Sequence, residues 1–221
     1  MSETDTASNC VTRNYVTPNL HRKPNSLRYY QDGPPKSVDI DSWHLSVTGL
    51  VQNELDLSYS DILALPQVEE SRRMVCVCNW SIRRTWAGVL LSKVIEMAGV
   101  RNPENLYLKQ TSIGTPEKGV YESTIALGDA LFRRALLLHS VDGEPLPIVQ
   151  GYPLRLIDFG LYGYKNVKGL SKLEVTDQLE LGEWENRAGY DVDGTVRPKK
   201  YRIVDLAQWR FVDKLGEVTD Y

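Results

Sequence analysis

Two cysteines separated by a single residue are the side chains with the most specific chemistry in this sequence. Cys76 and Cys78 belong to an apolar segment, Arg73 to Cys78, that is typical of a β-strand. Residues at i and i+2 of a strand point to the same face, so both thiols are predicted to share one face, with Val75 and Val77 on the other. A thiolate on such a face is a soft ligand suited to a soft or high-valent metal.

Two other interpretations of the cysteine pair are possible from the sequence: buried core residues and a zinc site. Free cysteine is among the most buried residue types, so two small core residues would give the same pattern. A zinc site is disfavoured because the chain has three cysteines in total and its three histidines stand at no recognisable ligand spacing.

Two neighbouring windows are suited to binding an anion. Arg155 lies in an apolar strand segment, and the loop that follows combines two glycines with Lys165, Asn166 and Lys168. Backbone N–H groups and ammonium charges in such a loop can bind a phosphate. A surface arginine followed by a solvated, lysine-flanked turn is the alternative. Tyr121, taken alone, is typical of a core or rim aromatic.

Composition limits the class of protein. The chain has 221 residues, 42% of them hydrophobic and 25% charged, which is typical of one large globular domain. Its net charge of −3 argues against extensive nonspecific binding to nucleic acid or anionic lipid. No apolar run is long enough for a membrane span, and no P-loop, GxGxxG or Ser-His-Asp pattern is present. The N-terminal residues do not resemble an export signal, so we expect a cytoplasmic location.

The elements that must position these residues are mostly strands. Five further strand segments surround the cysteines, and the predicted helices are short: one capped by Ser58 and Asp61, one from Leu91 to Ala98, and one from Leu127 to Phe132. Because strands outnumber helices and do not alternate with them, the pattern predicts an α+β fold with mixed β-sheets in a single domain. We expect residues 1–16 to be disordered and residues 17–221 to form the domain, with an extended N-terminal arm and a C-terminal segment that wraps around it. The strand segments are WHLSVTGLV, NLYLKQT, RALLLHSV, PLRLID and GLSKLEV.

A combination of motifs resembles the molybdopterin-binding domain of the sulfite oxidase family. The windows are, in order, TPNLHRKPN, DSWHLSVTGLV, CVCNWSIRRTWAGVLL, VYESTIAL, DGEPLPIVQGYPLRLI and GYKNVKGL. They run from about Thr17 to Gly189. In architecture the chain is most similar to the single-domain catalytic subunit of bacterial protein-methionine-sulfoxide reductases, because it lacks the haem and dimerisation domains of other members.

The resemblance implies a molybdenum–molybdopterin cofactor and assigns roles to individual residues. Cys76, four residues before Trp80, would be the molybdenum ligand, and Cys78 would be a neighbour. Tyr121 would border the open metal position. The residues implied to contact the cofactor are Asn25, Thr111, Gln150, Arg155, Asn166, Val167 and Lys168.

The implied activity is two-electron oxygen-atom transfer to or from a small sulfur-containing substrate, of the sulfoxide reductase or sulfite dehydrogenase type. A separate one-electron carrier, haem or other, would be the redox partner. Sulfite-oxidising members gather arginines around the oxyanion, whereas here Pro24, Ser81 and Lys165 stand at three of those positions. This departure favours neutral or organic substrates. A cofactor-free binding or scaffold module that retained the fold is the alternative from another class.

Overall fold

The computed structural model describes residues 34–115 and 119–219. Within them it contains two β-sheets and four short α-helices. Asn25, Pro24 and the segment 1–16 lie outside the described residues, so the predictions for them stay predictions. The strands are β1 (His44–Gly49), β2 (Leu55–Ser58), β3 (Gln67–Cys76), β4 (Trp80–Leu90), β5 (Tyr107–Ser112), β6 (Glu122–Ala126), β7 (Leu136–Val141), β8 (Glu144–Pro145), β9 (Arg155–Ile157), β10 (Leu170–Thr176), β11 (Lys199–Ile203) and β12 (Gln208–Val212). The helices are α1 (Tyr59–Ala64), α2 (Leu91–Met97), α3 (Leu127–Phe132) and α4 (Glu183–Ala188).

The first sheet has five strands in the order β2-β1-β10-β5-β6. β1 and β10 are parallel, and the other neighbours are antiparallel. Its alternating apolar residues form the main core with α2, α3 and parts of β7 and β9. One face of this sheet therefore packs against helices in the main core, as expected for an α+β fold.

The second sheet has seven strands, and β4 is its centre. β3 pairs along the whole length of β4, while β11 and β7 pair with the opposite edge of β4 at its beginning and its end. β12 extends the sheet beyond β11, and β8 and β9 pair with β7. This sheet carries Cys76 at the end of β3 and Arg155 at the start of β9.

The short-range signals in the sequence predicted local structure correctly. Ser58 and Asp61 form the expected capping box of α1. The helical spacing predicted α2, and α3 has the predicted bounds. Asp142 and Gly143 both adopt positive φ in the turn between β7 and β8, as a two-residue hairpin requires.

The predicted strand through both cysteines is wrong at its end. β3 stops at Cys76, and residues 77–79 form the turn into β4. Cys78 therefore lies in a turn, and the inference that both thiols share a strand face fails with it. The physical reason is Asn79, which adopts a left-handed conformation with φ of 65° and closes a three-residue hairpin loop.

An ion pair between a buried arginine and a partly exposed aspartate joins the β11–β12 hairpin to β3. The guanidinium of Arg73, on β3, is fully buried and donates to both carboxylate oxygens of Asp205 at 2.7 and 2.8 Å. Asp205 lies between β11 and β12 and also accepts from the backbone N–H of Arg83 at 3.1 Å. These contacts, led by the hydrogen bond from Arg73, lower the pKa of Asp205 to about 2.

We expect Asp205→Asn to destabilise the fold by about 2–4 kcal/mol at neutral pH, because it removes the charge that compensates buried Arg73. The folded-state pKa of Asp205 lies below its ordinary value of 3.8, so the stabilisation is present above pH 4 and is lost as the pH falls towards 2. Denaturant unfolding at neutral and acidic pH measures both effects. The difference between wild type and variant should shrink in acid, whereas Glu96→Gln, in an exposed pair with Lys93, should change little at either pH.

The described residues include no helix that is long and apolar enough to cross a membrane.

Candidate active site

The turn that follows β3 presents the thiol of Cys76. The backbone N–H of Asn79 donates to the carbonyl of Cys76 at 3.1 Å, which holds the turn closed. The backbone N–H of Cys78 points back and lies 3.4 Å from the sulfur of Cys76. An N–H donor favours a thiolate over a thiol, so the turn prepares Cys76 to act as an anionic ligand.

Two basic residues pair with each other near the end of β3 that carries Cys76. Arg155 and Lys168 face each other in an antiparallel bridge, and Arg155 also approaches the sulfur of Met74, two residues before Cys76 on the same face of β3. Arg155 is buried and donates to the backbone carbonyl of Gln150 at 3.1 Å. Lys168 donates to the carbonyl of Val149 at 3.2 Å.

The electrostatics connect the two cations to the thiol. Burial, and then the charge of Arg155, lower the pKa of Lys168 to about 7, while the negative charge of Cys76 acts in the opposite direction. The sulfur and the ammonium group therefore share one neighbourhood. An additional anion there would stabilise the charged form of Lys168.

Gly151 lets the backbone approach this pair. Its φ is 118°, and a Cβ at this position would lie 3.0 Å from the Cβ of Arg155 and 3.1 Å from that of Lys168. A side chain would therefore push the turn away from both cations. The glycine keeps a concave arrangement of backbone and cationic side chains in place.

Tyr190 is a site residue that the sequence did not reveal. Its side chain is 6% exposed, and its hydroxyl is buried without a hydrogen-bond partner among the described residues. Burial, and then the charges of Cys78 and Cys76, raise its pKa to about 12, so the phenol stays protonated at neutral pH. The ring stacks on Trp184 at a centroid distance of 4.8 Å and meets Tyr164 edge-on at 5.0 Å. A rigid, buried O–H donor therefore lies in the electrostatic neighbourhood of the two cysteines.

The sequence carries signals for the helix that precedes Tyr190 but none for Tyr190 itself. Gly182 and Gly189 bracket α4, whose first turn is acidic and whose last turn contains Arg187. This is the charge pattern that complements a helix dipole, and Gly189 adopts the left-handed C-cap conformation. The polar segment after Gly189 has no hydrophobic periodicity, so it gives no signal for Tyr190.

Tyr121 and Thr111 lie on the first sheet or beside it. Tyr121 is buried and donates its hydroxyl to the backbone carbonyl of Tyr164 at 2.6 Å, and burial raises its pKa well above the ordinary value. Thr111, on β5, donates to a carboxylate oxygen of Glu122 at 3.1 Å. Tyr164 contacts both Tyr121 and Tyr190. The hydrogen bond from Tyr121 therefore helps to position Tyr164, whose ring packs against Tyr190.

The remaining predicted residues form the frame around Lys168. Asn166 is buried, and its side-chain oxygen accepts from the backbone N–H of Asp158 at 2.9 Å. Val167 is buried, and its N–H donates to the side chain of Gln110 at 3.1 Å. Gln150 is exposed at the rim, and its carbonyl is the acceptor for Arg155. The structure thus brings Gln150, Arg155 and Lys168 together.

The donor set is compatible with one protein-derived sulfur ligand. The described residues contain no group of three or more His, Cys, Asp or Glu side chains that could hold a metal ion by themselves. A metal at Cys76 would therefore need most of its ligands from another source.

Comparison with known proteins gives concordant results. Residues 32–184 match the family described as the oxidoreductase molybdopterin binding domain. The uncharacterized oxidoreductase YuiH of Bacillus subtilis is 32% identical over 161 residues, which cover 72% of this chain and 78% of that protein. The putative protein-methionine-sulfoxide reductase subunit YedZ1 of Azospira oryzae is 32% identical over 163 residues, which cover 74% of this chain.

Other similar proteins are longer than the shared region. The match covers 60% of YedZ1 and 55% of the protein-methionine-sulfoxide reductase catalytic subunit MsrP of Campylobacter jejuni, which is 27% identical. The sulfane dehydrogenase SoxCD of Paracoccus pantotrophus superimposes with a TM-score of 0.58 at 18% identity, over 79% of this chain and 46% of that one. This last similarity concerns the fold.

Proposed function

The chain belongs to the oxidoreductase molybdopterin-binding domain family, the sulfite oxidase family, and within it we propose that this protein reduces a neutral organic sulfoxide. The family and fold predicted from the sequence are confirmed, as are the class of enzyme, molybdopterin oxidoreductase, and its molybdenum–molybdopterin cofactor. The proposed reaction consumes two electrons and two protons, breaks the S–O bond, and releases the sulfide and water.

The residues beside Cys76 fit the cofactor. A dithiolene-bound metal needs one further soft ligand, which a thiolate supplies, and the phosphate of the pterin needs cations, which Arg155 and Lys168 supply. Gly151 leaves the turn close to both cations. The hydroxyl of Tyr190, which has no hydrogen-bond partner in the described part of the chain, can donate to a substrate oxygen. The donor set therefore offers a thiolate for the metal and positive charge for the anionic part of the cofactor.

When bound, the cofactor supplies the two-electron redox chemistry. The protein contributes the remaining functions. Cys76 provides the sulfur ligand, and the N–H of Cys78 stabilises the charge on that sulfur. Tyr190, protonated at neutral pH, holds a proton on its hydroxyl for the substrate oxygen, and the rings of Trp184 and Tyr164 keep that hydroxyl in place.

One observation favours a neutral substrate. Lys165, at a position where the resemblance implies an oxyanion-binding arginine, is 1% exposed and its ammonium donates to Glu185 and to the carbonyl of Val192. Ser81, at another such position, is buried and accepts from Arg73. Both positions are therefore occupied by internal contacts, which lowers the positive charge that a sulfite pocket requires.

Steady-state turnover separates the enzymatic alternatives. With reduced methyl viologen as electron donor, we expect the molybdenum-loaded enzyme to reduce methionine sulfoxide or dimethyl sulfoxide. With ferricyanide as acceptor, we expect sulfite oxidation to be slower by at least about a hundredfold in kcat/KM, since each missing charge–oxyanion contact removes roughly 1.5–3 kcal/mol. Faster sulfite oxidation would overturn the proposed substrate class, and protein that incorporates no molybdenum would support the scaffold alternative.

Lys168→Ala should weaken cofactor retention. Removal of the ammonium group leaves Arg155 as the neighbouring cation, and we expect about a tenfold loss in cofactor affinity. Pterin released per chain on denaturation, together with molybdenum content, measures the loss. Lys172→Ala, four residues away in an exposed pair with Glu174, is the matched control and should retain the cofactor fully. Equal retention in both variants would exclude Lys168 from cofactor binding.

A separate one-electron partner and the cytoplasmic location stay predictions. The names of the related proteins support the first, since YedZ1 and MsrP are each named as a subunit of a protein-methionine-sulfoxide reductase. We propose that Asn166 and Val167 act in cofactor binding by positioning, because their hydrogen bonds hold the segment that leads to Lys168. The role of Thr111, whose hydroxyl donates to Glu122, stays a prediction.

A further inference from the structure

The pairing of four adjacent strands aligns Cys76 with a tryptophan at the surface. Cys76 on β3 pairs with Trp80 on β4, Trp80 pairs with Arg202 on β11, and Arg202 pairs with Trp209 on β12. Residues that pair directly across strands project from the same face of a sheet. These four side chains therefore form one row on one face of the second sheet.

The row is short. Neighbouring strands are about 4.8 Å apart, so three steps separate Cys76 from Trp209 by roughly 14 Å along the sheet. The middle of the row is held by a backbone hydrogen bond of 2.9 Å from Arg202 to the carbonyl of Asn79, in the same turn that presents Cys76. The hairpin of β11 and β12 is thus hydrogen-bonded directly to the turn that follows Cys76.

The outer end of the row is exposed, aromatic and basic. Trp209 is 54% exposed, and Phe211, on the same face, is 65% exposed. Arg202 and Lys200 are exposed and pair with these two aromatic residues across the hairpin. Between Lys199 and Lys214 the chain has five Lys or Arg and two Asp, and one of these acids, Asp205, is engaged by Arg73. The surface is positive in a chain whose net charge is −3.

We propose that the outward face of the β11–β12 hairpin, formed by Lys200, Arg202 and Trp209, docks an acidic one-electron carrier protein that supplies the electrons for sulfoxide reduction. The proposal rests on the proposed function and adds the partner's chemistry and its place of contact. The positive face complements an acidic partner and steers its approach, while Trp209 provides the large rigid ring typical of an interface anchor. The row then gives the shortest sheet path from the docked carrier to the sulfur of Cys76.

Charge reversal on the hairpin tests the docking face. The probe is a reduced acidic [2Fe–2S] ferredoxin, mixed with the molybdenum-loaded enzyme. For the double variant Lys200→Glu with Arg202→Glu, we expect the affinity for ferredoxin, measured by interferometry, and the second-order rate of ferredoxin oxidation to fall about ten- to a hundredfold at low ionic strength. Added salt should lower the wild-type rate and leave the variant nearly unchanged.

Controls separate this proposal from the proposed function. Lys93→Glu with Arg101→Glu reverses two exposed charges on and after α2 and should bind ferredoxin like the wild type. Sulfoxide turnover with methyl viologen should be unchanged in both double variants. Absence of that turnover in the wild type refutes the proposed function. Turnover with viologen, combined with unchanged ferredoxin affinity and rate in the hairpin variant, overturns the docking proposal alone.

Discussion

Replacing Cys76 by serine should abolish molybdenum retention in a chain that still folds. Serine keeps the size of the side chain but replaces a soft thiolate by a hard hydroxyl that stays protonated at neutral pH. Substitution of a residue that only supports a metal ligand typically lowers metal affinity about ten- to a hundredfold. Removal of the ligand itself should lower the affinity more. Elemental analysis of purified protein gives the metal content, and circular dichroism confirms that the fold is retained.

Cys78→Ser is the matched control, because the structure gives Cys78 a backbone role. Its N–H points at the sulfur of Cys76, and serine preserves that N–H. We therefore expect near-normal molybdenum content and most of the activity. Equal loss from both substitutions would show that the choice of Cys76 as the ligand is wrong, and full metal content together with full activity in Cys76→Ser would refute a metal-binding role for Cys76.

Residues with local signals were predictable from the sequence. The capping box at Ser58 and Asp61 and the apolar spacing of α2 act within a few residues, so they determine structure without knowledge of the rest of the chain. Arg155 on a buried strand was predicted for the same reason, since an arginine within an apolar segment must have a partner.

Elements that depend on distant contacts were missed. β4 contains Arg83 and Arg84, which break its apolar alternation, and it is held by pairing with β3, β7 and β11. The predicted C-terminal wrap contains a hairpin, β11–β12, of which β12 has a single buried residue, Val212. The hairpin is attached by the ion pair of Asp205 with Arg73, 132 residues earlier, and such long-range pairing leaves no periodic signal in the sequence.

Of the two tyrosines in the candidate site, one was predictable from the sequence and the other was found only in the structure. The resemblance led to Tyr121 through its surrounding motif, and its role at the reacting position stays a prediction. Tyr190 has no such motif, and its importance depends on packing against Trp184 and Tyr164 and on proximity to the turn of Cys76. A buried hydroxyl without a partner costs roughly 1–3 kcal/mol, and the hydroxyl of Tyr190 has none among the described residues, which is why we propose it as a donor to substrate.

Tyr190→Phe should lower kcat for sulfoxide reduction by about ten- to a hundredfold, because a positioned O–H donor to the substrate oxygen contributes rate in this range. The ring and its stacking on Trp184 remain, so KM should change much less. The free energy of unfolding should stay the same or rise, since the variant removes a buried hydroxyl that has no partner among the described residues. Steady-state kinetics on protein of equal molybdenum content, together with denaturant unfolding, measure these quantities.

Tyr121→Phe should show the opposite division between activity and stability. Its hydroxyl donates to the carbonyl of Tyr164 at 2.6 Å, so its removal leaves a buried acceptor unsatisfied and costs about 1–3 kcal/mol of folding free energy. The loss in kcat should then be smaller than for Tyr190→Phe, because Tyr121 acts on the proton donor only through Tyr164. A larger loss of kcat in Tyr121→Phe, with Tyr190→Phe active, would assign the reacting position to Tyr121 and leave Tyr190 as a packing residue. One difference between the two hydroxyls decides the expected order: that of Tyr121 is bonded to the carbonyl of Tyr164, whereas that of Tyr190 has no partner in residues 34–115 and 119–219.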